Sequence, residues 1–293
     1  MRSLLAYSFL SLMLGCTPSA DVVQGSSSGK AINASAPYLW GNYGSPKVLR
    51  ISNSFLPDEK AAISQMGVAW KTSVSNKKDF FDNSSSTDNN YDLESPDNVM
   101  GVYKAYTWPA DLSSSALAIT QLFGRRYNVG EANEYVSIEH ADILVNYSSD
   151  GFMPFEFYAN DVDATAGSYD LKTVILHEMG HFLGLQHIPL SYDRTGSDLK
   201  LSSTAYKASS VMYPSISPSD VKRIPQLRDI NELINKYSLS ASAGSAMVAA
   251  NPYRPKSNDY GKNVKVVIEL MASGECIHKE DGAVIQRHHI KLK

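Results

Sequence analysis

Two cysteines in 293 residues, Cys16 and Cys276, are too few for a disulfide framework, so stability has to come from an apolar core and from whatever the chain binds. The apolar stretch from Leu4 to Leu14 is too short to span a bilayer comfortably. Basic charge is not in excess either: 27 Lys and Arg stand against 30 Asp and Glu, a formal net charge of -3, which argues against nucleic acid as a partner. No internal repeat is visible. Apolar residues make up 43% of the chain, enough for a real core, and the length admits one domain with appendages or two small ones.

Arg2 followed by Leu4, Leu5, Ala6, Phe9, Leu10 and Leu12 has the pattern of an export signal. It ends in Met13-Leu14-Gly15-Cys16, which resembles the bacterial lipobox, in which a Cys is lipidated and becomes the new N-terminus. That resemblance implies a membrane anchor at Cys16. Thr17 rather than Asp follows it, which points to the outer membrane or cell surface. The other reading is an ordinary signal peptide with an incidental Cys; a Cys16–Cys276 bond would tie down a flexible arm and stabilise little.

The composition divides the rest. Residues 1–15 read as the signal, 16–37 as a Ser/Gly/Ala-rich tether, 38–237 as the main domain, 238–262 as an Ala/Ser-rich linker and 263–293 as a β-rich extension. Lys47 to Ser52 alternates as a strand, with Leu49 and Ile51 on one face. Pro57, Asp58 and Glu59 open a helix with Ile63, Met66 and Trp70 on one side. Ser73 to Asn98 is polar enough to be a solvated loop. Of Val99–Trp108, Leu117–Leu122 and Ala141–Tyr147 at least two read as strands, the middle one with a short helix as the alternative, and Phe152–Tyr158 is a candidate edge strand because of Pro154. Asp170 caps a helix that ends at Gly184, and another runs from Pro225 to Tyr237. The extension holds three strands, the last two joined by the Asp281-Gly282 turn. Three strands alone are marginal, so they should lean on the main domain, yet deletion after Tyr237 is expected to leave it working.

The chemistry concentrates in His177-Glu178-Met179-Gly180-His181-Phe182-Leu183-Gly184-Leu185-Gln186-His187. Residues four apart share a helix face, so His177 and His181 can grip one ion. Gly184 can take the left-handed conformation that ends the helix and brings His187 round as a third ligand. Three neutral imidazoles leave a fourth position open, the arrangement of a catalytic zinc site, with Glu178 beside it as general base. Five fixed residues at this spacing arise by chance on the order of 10⁻⁴ per chain of this length.

This run resembles that of the metzincin metallopeptidases, and Ser210-Val211-Met212-Tyr213-Pro214 resembles their Met-turn, closest to the matrixin branch. Asp229, Ile230, Leu233 and Tyr237 are similar in spacing to the matrixins' last helix, and Trp70 to the Trp closing their first. The resemblance implies a zincin-like α+β fold: a twisted mixed sheet of four or five strands with two helices behind it and a small subdomain after Gly184. It implies a zinc-dependent endopeptidase in which Glu178 assists attack of a zinc-bound water on a peptide bond, with Met212 as a floor under the metal and one catalytic Zn2+. Protein or peptide substrates would lie extended against an edge strand, on a monomeric enzyme. The long segment from His187 to Met212, and Ile188 where matrixins usually have Ser, depart from that branch. Ala141 to Thr173 has no His for a second zinc, and no Cys lies between Cys16 and the helix to act as a cysteine switch. Asp150-Gly151 and Asn160 to Asp163 are candidate Ca2+ ligands or plain acidic loops. His278, His288 and His289 read as hydrogen-bonded surface histidines, with a second metal site as the alternative.

Overall fold

The computed structural model describes residues 32–41, 45–74, 78–149, 155–187, 209–214, 216–218, 220–237, 239, 253–272 and 276–288. The signal, Cys16, Asp150, Gly151, His289 and most of the His187-to-Met212 insertion lie outside them. No helix of the described residues is long and apolar enough to cross a membrane.

The architecture is α+β around one mixed sheet. Its strands are β1 (Tyr38–Trp40), β3 (Arg50–Ser52), β5 (Ser86–Thr87), β6 (Gly101–Ala105), β7 (Ala116–Tyr127), β8 (Tyr135–Asn146), β11 (Lys262–Met271), β12 (Cys276–Glu280) and β13 (Ala283–His288). They run in the order β13-β12-β11-β7-β8-β6-β3-β5, with β1 also on β8. Strands β1, β3, β5 and β6 pair in parallel, while β7 lies antiparallel to both β8 and β11. Four short strands lie outside this sheet: β2 (Lys47–Val48) pairs with β4 (Phe81–Asp82), and β9 (Phe157–Tyr158) with β10 (Tyr169–Asp170).

Three helices pack with the sheet. In α1 (Pro57–Ser73), Glu59 accepts from the Leu56 backbone N–H and closes the helix start, while Ile63, Met66 and Trp70 are buried as their spacing requires. In α2 (Leu171–Phe182), Asp170 accepts from the Thr173 backbone N–H, the expected cap. The carbonyls at its far end find side-chain donors: Trp40 Nε1–H donates to Phe182 O at 2.8 Å and Tyr237 O–H to Leu183 O at 2.7 Å. The third, α3 (Leu227–Tyr237), buries Leu233 fully and half-buries Ile230, Ile234 and Tyr237.

Several expectations change in detail. Ala116–Tyr127 is a long strand, because inside a sheet it can be buried along nearly its whole length without the alternation a half-exposed strand shows. The polar segment after Ser73 carries β4 and β5 and anchors Phe80 in the core, and Asn89 bonds the backbone of Lys104. The end of the tether is docked: Ala36 is buried and Pro37 O accepts from Val136 N.

The largest difference is the extension. Strand β11 pairs with β7 from Lys262↔Arg126 to Met271↔Ala116 and buries Val264, Val266, Ile268 and Leu270. Arg126 on β7 is sandwiched between Glu134 and Glu280 of β12, all three buried. Nine strands rather than four or five result, and three of them come from the extension. Four aliphatic side chains at about 1.5–3 kcal/mol each amount to about 6–12 kcal/mol, comparable with the whole stability of a typical domain. A chain truncated after Tyr237 should therefore lose its cooperative thermal transition; a melt within a few degrees of the full chain by circular dichroism would show the extension to be dispensable.

Candidate metal centre

Helix α2 carries His177 and His181 one turn apart, and the Gly184 reversal brings in His187. Gly184 has φ +80°, and a Cβ there would stand 2.2 Å from Tyr38 O, so both backbone conformation and space demand glycine. The three Nε2 atoms converge: His181 to His177 3.0 Å, His181 to His187 3.0 Å, His187 to His177 3.1 Å. All three rings are buried.

The tautomers follow from the outer partners. His177 Nδ1 lies 2.7 Å from Val211 O and His181 Nδ1 2.9 Å from Leu185 O. A carbonyl can only accept, so each Nδ1 carries the hydrogen and each Nε2 of the neutral ring turns a lone pair inward. Burial, with His181 nearby, holds His177 well below the ordinary histidine range, so it stays neutral. Lone pairs this close repel unless something positive lies between them. Among the described residues these three form the one group of at least three His, Cys, Asp or Glu side chains able to hold a metal ion.

Glu178 is buried beside them. Thr120 Oγ1–H, from β7, donates to its Oε2 at 2.5 Å, while Oε1 has no hydrogen-bond partner. Desolvation pushes the carboxyl up to about 8, with the Thr120 bond opposing. As it stands the carboxyl keeps its own proton at neutral pH; a cation among the three imidazoles would lower it, and the ionised form, with one oxygen fixed and one unclaimed, is suited to receive a proton from a third group.

Met212 lies under the helix. A Cβ on Gly180 would come within 2.2 Å of its sulfur and 3.2 Å of Trp70, so Gly180 lets the turn that carries Met212 approach α2. Asp229 of α3 holds that turn: Ser210 Oγ–H and the backbone N–H groups of Val211 and Gln226 all donate to its carboxylate. Through Val211 O the same turn orients His177.

Two contributors were not foreseen. Thr120 sits in a strand with no local signal for a site. His278, read as a surface histidine, is buried in β12, and its Nε2 lies 3.2 Å from His187 Nδ1. That is a correction: pairing of β11 with β7 carries β12 over the centre, which a local reading of 276–280 has no means of showing. His140 is also buried, within β8, with Nε2 2.8 Å from Asp142. No cation cluster forms at Asn160 to Asp163; Asp161 pairs with Arg223, which also binds Asp170. Calcium thus has no side-chain cluster among the described residues.

The surroundings of β7 differ from the expected open cleft. The strand that holds Glu178 through Thr120 is paired with β8 on one side and β11 on the other, so it has no free edge for an extended peptide. No protein-family model matches this chain, and no curated protein matches it either.

Proposed function

We propose that the chain is a zinc-dependent endopeptidase of the metzincin kind, nearest the matrixin branch, with His177, His181 and His187 as metal ligands and Glu178 as general base. The observation that carries this reading is the convergence of three Nε2 lone pairs beside a buried carboxylate with an unclaimed oxygen. Zinc fits the donor set: three bonds of ~2.0–2.1 Å at tetrahedral angles put the nitrogens about 3.3 Å apart, near the spacing found. The ion when bound would supply Lewis acidity at the scissile carbonyl. Glu178 takes the proton of the attacking water on Oε1 and returns it to the departing amine, while Thr120 keeps the carboxylate from rotating. Met212 packs behind the ligands through Gly180 and keeps their helix at a fixed height.

One observation favours a second reading, a surface protein that keeps metal for structure or binding. The centre is buried, and β7 is paired on both edges. Glu178 separates the two. Glu178→Ala should keep about one equivalent of zinc and lose at least 10²–10⁴-fold in peptide hydrolysis, whereas His181→Ala should lose the metal as well. If wild type loaded with zinc cuts nothing in a peptide library and Glu178→Ala is indistinguishable from it, the binding reading replaces the catalytic one.

If the substrate pairs as a strand with β7, then β11 must yield its place there. Arg125 and Asn263 are register partners, both exposed, and remote from the centre. Arg125→Cys with Asn263→Cys, in a chain also carrying Cys16→Ser and Cys276→Ser, would lock the two strands together when oxidised. Hydrolysis should stop in the oxidised form and return on reduction; equal rates in both forms would mean that substrate reaches Glu178 by another route.

The anchor is part of the same proposal. Expressed in a bacterium with two membranes, the mature protein should begin at a lipidated Cys16 and partition into detergent, and mass spectrometry finding any other N-terminus would remove it.

A further inference from the structure

The third ring of the centre is held unlike the other two. His177 and His181 are oriented by the backbone carbonyls of Val211 and Leu185, close by in the chain or the Met-turn. His187 is oriented by a side chain 91 residues later: its Nδ1 lies 3.2 Å from Nε2 of His278, with the rings 5.2 Å apart at 67°. For His187 to turn the lone pair of Nε2 toward its two neighbours, Nδ1 must carry the hydrogen, and His278 Nε2 must then accept it. An imidazole thus takes the part that a carbonyl plays at the other two rings.

The position of His278 is well determined. It pairs with Ile268 across β12 and β11, and β11 is paired in turn with β7. Two residues on, Glu280 accepts from Arg126 Nε at 3.0 Å inside the buried Arg126–Glu134 cluster. His278 is 0% exposed, so its contact with His187 is not a passing surface encounter. Its ring also stands 6.0 Å from that of His181, edge-on.

We propose that His278 is a positioning residue of the metal centre: it fixes the ring of His187 for the ion, so that docking of the C-terminal extension and binding of the metal reinforce each other. The inference rests on the three histidines being metal ligands and is independent of whether the chain hydrolyses anything. Reciprocity is a thermodynamic necessity here: if the docked extension raises metal affinity, bound metal must hold the extension down by the same factor.

Zinc affinity of the full chain, measured by competition with a chromophoric chelator, tests this in wild type, His278→Ala and His278→Gln. The amide oxygen of Gln can accept where Nε2 stood. Loss of an outer partner of a ligating histidine typically costs about 10–100-fold in metal affinity, so His278→Ala should weaken zinc by that factor and His278→Gln should recover most of it. Metal-free melts of the three proteins separate this loss from a general loss of fold. Hydrogen exchange on wild type gives a second readout that needs no mutation: zinc should slow exchange of the amides of Cys276 to Glu280. Zinc affinity of a folded His278→Ala within about twofold of wild type, or exchange in β12 that ignores zinc, overturns the proposal. Failure of wild type to bind zinc at all overturns it too, by removing the metal ligands themselves, whereas tight zinc binding without any hydrolysis leaves it standing and removes only the peptidase reading.

Discussion

At Gly184 the backbone takes φ +80° directly against Tyr38 O, and the histidine three residues later is the one this reversal returns to the other two. The convergence of the three imidazoles depends on that turn more than on any one of them. It ends α2, leaves Phe182 O and Leu183 O for Trp40 and Tyr237 to cap, and so ties β1, α2 and α3 to one point. Any side chain at 184 meets both a steric clash with backbone and an unfavourable dihedral, and neither can relax without moving β1 away from the helix end.

Around this turn the polar interior is arranged in closed sets. Glu59 serves the start of α1, Lys104 and Tyr147 together. Arg126 is shared by Glu134 and Glu280, and Asp229 takes three donors, from Ser210, Val211 and Gln226. Such buried groups are costly when a partner is lost and nearly neutral when complete, so they specify the arrangement more than they stabilise it. Glu178 stands apart from these sets, with its Oε1 buried and without a hydrogen-bond partner. A buried carboxylate with one oxygen unclaimed, beside three converging imidazoles, is the feature on which the catalytic proposal rests.

The sequence disclosed the local part of this. The spacing of His177, His181 and His187, the cap at Asp170, the stop at Gly184, the stripe of α1 and the Asp281-Gly282 turn all depend on neighbours within a few residues, and each stands where its pattern places it. What stayed hidden depends on strand register across long separations. Nothing near Ala116 marks β7 as a strand covered on both sides, and nothing near His278 marks it as facing His187, because β12 reaches that place only through β11 on β7. Thr120 is equally silent, a threonine in a strand until α2 is laid against it.

The pairing of β11 with β7 also bears on how the chain comes to be folded. Strand β7 is twelve residues long, largely apolar, and made more than a hundred residues before the segment that covers its second edge. Until Lys262–Met271 emerges, that edge is an unpaired template of the kind on which strands of other molecules add. The cluster at Arg126 waits as long for Glu280, 154 residues away, and His187 for His278. Contacts of such separation close late, so the sheet cannot finish in the order of synthesis, and the middle of the chain needs protection from its own kind until the last strands arrive.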